Sequence, residues 1–77
     1  MTTETSNVSA SIVVNSAAIS TANYMYEGEF LSLTFKGGGR YVYFNVPRFL
    51  FQGLQESSSK GKFIHKYVLG KFNFRKI

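Results

Sequence analysis

The chain has 77 residues, a formal net charge of +5, eight Phe, five Tyr and no Cys. A chain of this length forms one domain with one small core, and it has neither cysteines for a disulfide framework nor enough histidine and acid for a metal site. No stretch reaches the roughly 20 apolar residues of a membrane span, and no signal peptide is recognisable at the N-terminus, so we expect a cytoplasmic protein without metal or cofactor.

The N-terminal part of the chain predicts two strands behind a short disordered segment. Residues 1–7 are polar and show no periodicity, so we expect them to be disordered and a single domain to occupy residues 8–77. Alternation of apolar residues with serine predicts a half-buried strand at residues 8–14. A stretch rich in Thr, Ala and Tyr predicts a second strand within residues 17–26, followed by a turn at Gly28.

The clearest strand is predicted at residues 30–35, where Leu31, Leu33 and Phe35 share one face. The glycines at 37–39 then supply the positive backbone angles that a tight hairpin needs. Because a strand pattern follows them and not a helix, these glycines do not predict a phosphate-binding loop.

A fourth strand is predicted at residues 41–46. Tyr41 and Tyr43 would share one face, while Val42 and Phe44 would share the other. Both faces are apolar or amphipathic, which is typical of a strand that is covered on both sides. We expect a helix on one side, and a terminal segment or a second subunit on the other.

A first helix is predicted after this strand. Pro47 suits the first turn of a helix, because its missing N–H group would be unpaired there anyway. Leu50, Phe51 and Leu54 lie at helical spacing and form a stripe that would face the core. Gly53 weakens this helix, which indicates close packing at that position.

The rest of the chain predicts a second helix and a terminal strand. The serines at 57–59 break the first helix and offer an N-cap for the second. Phe63 and Tyr67 share a face of this second helix, and Gly70 would end it. Alternation at residues 71–75 predicts a short strand with a basic face and an aromatic face.

Together these elements predict an α+β fold: a small antiparallel sheet of three to five strands packed against one or two short helices. The chain also resembles the KTSC domain, a small family named after a C-terminal extension of some lysyl-tRNA synthetases. The resemblance rests on the order and spacing of motifs between Val14 and Phe72, namely Asn15-Ser16-Ala17-Ala18-Ile19, Tyr24, Leu31, Leu33, Phe35, Tyr41-Val42-Tyr43, Val46-Pro47, Leu54, Ser59-Lys60-Gly61 before Phe63, and Val68 to Phe72. It implies the same α+β fold, and RNA binding has been suggested for the family through the synthetase context.

The sequence lacks the parts of an enzyme active site. His65 is the only imidazole, Asp is absent, and Glu56 is the only acid outside the N-terminal half of the chain, so a hydrolytic triad cannot be assembled. Lys60-Gly61-Lys62 lacks the upstream Gly and the following Ser or Thr of a Walker loop. We therefore expect a binding protein and not an enzyme.

The basic C-terminal segment indicates a polyanion partner, and RNA is our first hypothesis. Residues 60–77 carry six Lys or Arg and no acid. The candidate residues for contacts with phosphate or another anion are Arg40, Ser59, Lys60, Lys62, Lys66, Lys71 and Arg75. The candidate rings for stacking on an unpaired base are Tyr41, Tyr43 and Tyr67, with Tyr24 as a further choice. Core packing of the Tyr-x-Tyr pair, and a basic face that only aids solubility, are the simpler alternatives.

Two other functions stay open on the sequence. The aromatic surplus and the alternating C-terminal segment indicate a homo-oligomer or a protein-interaction module, for example an accessory or inhibitor protein encoded by a phage. Residues 59–62 alternatively indicate a pocket for a small anionic ligand such as a nucleotide, built between subunits.

Overall fold

The computed structural model describes residues 9–77, which form one antiparallel sheet of five strands together with two helices. In chain order the elements are β1 (Ser9–Val13), β2 (Ile19–Met25), β3 (Phe30–Phe35), β4 (Arg40–Tyr43), α1 (Arg48–Glu56), α2 (Lys60–Tyr67) and β5 (Phe74–Lys76). The order of strands in the sheet equals their order in the chain, so both helices belong to the connection between β4 and β5. The α+β fold expected from the sequence is confirmed. The expected disorder of residues 1–7 and the expected strand start at Val8 lie outside the described residues.

One face of the sheet carries the core, because apolar residues on neighbouring strands fall in register. Tyr24 lies opposite Leu31, which in turn lies opposite Tyr43, and all three are buried. The ring of Phe51 in α1 stacks on Tyr24 with ring centroids 4.8 Å apart, and Ile64 of α2 is buried in the same cluster. The core is therefore a single layer between the sheet and the two helices.

The opposite face of the sheet is largely polar, and no helix covers it within residues 9–77. Its central row crosses all five strands and consists of Ser11, Asn23, Ser32, Val42 and Arg75. Within residues 9–77 the helices cover the fourth strand on one side only, and cover of its other side by the N-terminal residues or by a second subunit stays a prediction. We call this surface the open sheet face.

The end of β4 differs from the expected boundary. β4 ends at Tyr43 and not at Val46, because Asn45 has a left-handed backbone with φ of 58° that turns the chain out of the sheet. Pro47 occupies the N-cap position immediately before α1 and not its first turn. The turn is fixed to the sheet, since the Tyr24 hydroxyl donates a 2.6 Å hydrogen bond to the carbonyl oxygen of Val46.

The terminal strand also differs from its expected position. β5 begins at Phe74 and not at Lys71, and it pairs with β4 through Tyr41 opposite Lys76 and Tyr43 opposite Phe74. Phe74 and Lys76 therefore share the core side of the sheet, while the residue between them points to the open sheet face. Phe74 and Arg75 lie on opposite faces as expected, although Lys76, which follows the expected strand, adds a lysine to the aromatic side.

The glycines between β3 and β4 form the expected hairpin. Gly38 and Gly39 have φ of 100° and 98°, values that other residues rarely adopt. The amide of Phe35 donates to the carbonyl of Gly39 at 3.1 Å, which closes the turn.

Two helical glycines allow close approaches that a side chain would prevent. A Cβ atom at Gly53 would lie 3.0 Å from the Phe63 ring of α2, which confirms the close packing expected at this position. A Cβ atom at Gly61 would lie only 2.6 Å from the Cβ of Ser16 in the loop between β1 and β2. That loop is itself fixed, since the amide of Ile19 donates to the Ser16 hydroxyl at 3.0 Å.

Candidate nucleic-acid interface

Helix α2 presents cations to solvent because its apolar side is used for the core. Ile64 is buried, whereas Lys62, His65 and Lys66 are exposed. These three residues are three and four positions apart, so they are neighbours on one side of the helix. The chain has no acid after Glu56, so this side of α2 is a surface of one sign that attracts anions.

Two residues at the start of α2 already have partners within the protein. Lys60 is half-buried, and its Nζ donates to the carbonyl oxygen of Ser57 at 2.9 Å. The amide of Ser59 donates to the Ser57 hydroxyl at 3.1 Å, and the Ser59 side chain makes no capping hydrogen bond. Ser59 is thus an N-cap by position only, and its amide is not free for an anion.

A groove of about 390 Å³ lies between the start of α2 and the loop that joins β1 to β2. Its walls are residues 14–18 on one side, and residues 58–62 with His65 on the other. The contact between Gly61 and Ser16 brings these two walls together. We call it the helix groove, and it is the place where the structure puts the residues of the hypothetical small-anion pocket.

The structure separates Arg40 and Arg75 from the cations of α2. Arg75 pairs with Val42, which lies two residues beyond Arg40 on β4, so both arginines belong to the open sheet face. Helix α2 packs on the other face of the sheet through Ile64. Lys71 is exposed in the turn that follows α2. The candidate cations therefore divide between two opposite sides of the sheet.

Burial removes two of the candidate stacking rings. Tyr24 is fully buried and Tyr43 is 5% exposed, so neither ring has a face open to a base. Burial also raises the pKa of both hydroxyls, because the charged phenolate is poorly solvated in the core. Within the Tyr-x-Tyr pair, Tyr43 therefore packs in the core, and Tyr24 is buried in the same way.

The other two candidate stacking rings, Tyr41 and Tyr67, are more accessible. The Tyr67 ring is exposed on one side and packs on Phe63 on the other, with ring centroids 4.7 Å apart. The Nζ of Lys66 lies 5.3 Å from the centre of the same ring. Tyr41 is half-buried at the edge of the core.

Tyr41 belongs to a groove of about 400 Å³ that the sequence did not reveal. We call it the aromatic groove, and its lining residues are Ala18, Phe35, Gly37, Gly38, Tyr41, Tyr43 and Phe74. The rings of Phe35 and Phe74 lie 5.4 Å and 5.7 Å from that of Tyr41. The alternation at residues 71–75 predicted a strand that contains Phe74. It did not predict which strand pairs with this one, or in which register.

Two kinds of site are absent from residues 9–77. No three side chains of His, Asp or Glu come together there as a metal-binding group. Neither α1 nor α2 has the length and apolar character to cross a membrane.

Comparison with known proteins gives a consistent result. A family model described as the KTSC domain matches residues 15–72. The chain is 36% identical over 56 residues to a lysine–tRNA ligase of Trichormus variabilis, an alignment that covers 70% of this chain and 10% of the ligase. It is 37% identical over 59 residues to a protein of Tsukamurella paurometabola, covering 77% of this chain and 88% of that protein. The chain thus spans about a tenth of the length of the ligase.

A solved structure agrees with these matches. The crystal structure of a KTSC domain protein from Yersinia pestis superposes with a TM-score of 0.81 at 32% sequence identity. The superposition covers 90% of this chain and 97% of that one.

Proposed function

The chain belongs to the KTSC domain family, and on that premise we propose that it is a non-enzymatic domain that binds RNA through phosphate contacts. The observation that carries the proposal is the exposed side of α2 on which Lys62 and Lys66 carry positive charges, with His65 beside them. No acid lies between residue 57 and the end of the chain, so nothing in that segment neutralises these charges. Lysine side chains of this kind bind phosphates as point charges, whatever the base sequence.

The relatives support the same class of ligand. The matched part of the Trichormus variabilis protein is a small segment of an enzyme named lysine–tRNA ligase. A segment of this kind, appended to an enzyme that charges tRNA, is well placed to contact RNA. We extend this contact with RNA to the present chain, in which α2 would make it.

Titration of labelled single-stranded RNA, duplex RNA and duplex DNA at several salt concentrations tests the proposal. Binding led by phosphate contacts predicts that log affinity falls linearly with log salt, by about 0.7 for each phosphate neutralised on a single strand. Lys62→Ala and Lys66→Ala should each reduce the slope by about 0.7. Arg48→Ala is the control, because it removes one positive charge from α1 and should leave the slope unchanged. Absence of binding at low salt would refute the proposal.

A homo-oligomer is the second candidate function, and exposed apolar residues at the two sheet edges favour it. β1 and β5 are the edge strands, and Val13 and Ile77 are both exposed there. An edge strand with unpaired backbone groups and apolar side chains can pair with another chain. Light scattering after size exclusion should then give a mass above that of the 8.7 kDa monomer, and Val13→Lys should lower it. A single monomeric species at all concentrations would exclude this function.

A further inference from the structure

We propose that the aromatic groove holds one unpaired base of a single-stranded RNA, with the phosphates on one side of that base lying along the helix groove. The inference rests on the proposed RNA binding and adds the form of RNA that is recognised. A duplex stacks and pairs its bases, so only an unpaired strand can insert a base between protein rings.

The rings of the groove are arranged so that a planar group can join them. Phe35 meets Tyr41 with an angle of 78° between ring planes, and Phe74 meets Tyr41 at 57°. Neither pair is stacked face to face, and Phe74 also meets Tyr43 at a centroid distance of 5.3 Å with 35° between the ring planes. Phe74 is 55% exposed, which leaves much of its surface to contact a ligand. Stacking of this kind accepts any base, because every base has a π-face.

The glycines of the hairpin provide the space for the base. A Cβ atom added at Gly37 or Gly38 would meet no other atom within 4 Å, so the volume beside them is open. The backbone at position 38 has a positive φ that favours glycine, whereas the backbone at position 37 does not. Gly37 lines the groove, so a side chain there would change the groove wall without straining the backbone.

The charges around the groove favour a ligand in which an aromatic ring is attached to an anionic chain. The Nζ of Lys76 lies over the ring of Tyr41, a lining residue of the groove, at 6.0 Å from the ring centre. Among residues 9–77, no acid lines either the aromatic groove or the helix groove. An apolar segment of a protein would gain nothing from these cations, whereas a nucleotide uses both its base and its phosphate.

The two grooves adjoin, which gives a strand a path from the base to the cations of α2. Ala18 lines both grooves. Its carbonyl oxygen accepts a hydrogen bond of 2.8 Å from the amide of Lys36, so this shared wall is fixed to the hairpin. Phosphates beside a base in the aromatic groove would thus lie next to Lys60 and Lys62 in the helix groove.

A strand that carries 2-aminopurine, a fluorescent base, tests the inference. Stacking against the groove should quench its fluorescence. Phe74→Ala should weaken binding of single-stranded RNA by about fivefold or more, the lower end of what one lost stacking partner costs. Gly37→Leu should produce a similar loss because it puts a bulky side chain on the groove wall, and Phe74→Tyr should retain the affinity. Phe49→Ala is the matched control, because Phe49 is 70% exposed on α1 and lines neither groove.

The outcomes separate this inference from the proposed function. If Phe74→Ala and Gly37→Leu bind the single strand as the unchanged protein does, while Lys62→Ala still lowers the salt slope, the base site is excluded and phosphate binding stands. If duplex RNA binds as tightly as the single strand, and if Phe74→Ala lowers the affinity for both by the same factor, the single-strand assignment is overturned. If no RNA binds at low salt, the inference and the proposed function fail together.

Discussion

Gly61→Ala should destabilise the protein although alanine is the better helix former. Alanine is favoured over glycine by about 1 kcal/mol in a helix interior and by at most that in the first turn of α2, where Gly61 lies, so without a steric conflict the substitution would stabilise α2. The added Cβ, however, would lie 2.6 Å from the Cβ of Ser16. Carbon atoms in normal contact are about 3.5–4.0 Å apart, so the loop or the helix must move by roughly 1 Å.

The size of the effect follows from how firmly Ser16 is held. Its Cβ is attached to a backbone whose amide donates to the carbonyl of Ile19 at 3.1 Å, so it cannot rotate away. Overpacking of this kind costs about 1–3 kcal/mol, and a fixed neighbour places the cost in the upper part of that range. Subtracting the gain in helix propensity leaves a net loss of about 1–2 kcal/mol.

Urea denaturation followed by far-UV circular dichroism measures this loss, and Gly53→Ala is its matched control. The Cβ added at Gly53 would meet the far end of the Phe63 ring at 3.0 Å, which the half-buried side chain can relieve by a small rotation. We expect Gly53→Ala to lie between neutrality and a gain of about 1 kcal/mol. In a Ser16→Gly background the penalty of Gly61→Ala should disappear, since the opposing Cβ is gone. An equal penalty in both backgrounds would refute the steric explanation.

Three further predictions concern the core around Tyr24. Tyr24→Phe removes the hydrogen bond to Val46 and should lower the free energy of unfolding by about 1 kcal/mol in urea denaturation at neutral pH; an unchanged midpoint would contradict this. Burial raises the pKa of Tyr24 and Tyr43 in the folded state above the ordinary value of about 10, so their stabilising effect is complete below about pH 10 and is lost as the pH rises through the raised pKa values. Urea midpoints measured on either side of about pH 10 should therefore fall with pH, and a rise would exclude this linkage. Phe51→Ala removes the ring stacked on Tyr24 and should cost about 3–5 kcal/mol, visible as a large drop in Tm; a loss below about 1 kcal/mol would mean that the site collapses around the gap.

The sequence predicted the elements well wherever a local pattern determines them. The alternation of Leu31, Leu33 and Phe35 predicted β3 with its observed bounds, Phe30–Phe35, because Leu31 and Leu33 are buried and Phe35 is half-buried on the same side of the strand. β5 was misplaced because residues 71–75 alternate equally well. Its true start depends on pairing of Phe74 with Tyr43, a long-range contact that leaves no local trace.

The candidate site was harder to predict than the fold, because it depends on which residues share a side of the molecule. Arg75 was grouped with the α2 lysines on charge alone, but its register opposite Val42 puts it on the open sheet face. The aromatic groove needs Phe35, Tyr41 and Phe74 from three different strands, and only tertiary structure brings these together. The Ser59 side chain shows the same limit, since an N-cap position is readable from sequence whereas a capping hydrogen bond is not.

The order of the strands has a consequence for folding and local opening. β1 to β4 pair with their immediate neighbours in the chain across short turns, which costs little loop-closure entropy, whereas β5 can join β4 only after both helices have been placed. The β4–β5 pairing should therefore form late and open first, and the amides of Phe44 and Ile77, which bond across it, should exchange hydrogen faster than those between β2 and β3. Since Phe74 belongs to β5, each such opening also removes one wall of the aromatic groove. The groove then exists only for the fraction of time that the last strand is docked, so its availability is set by a local equilibrium and not by the stability of the whole domain.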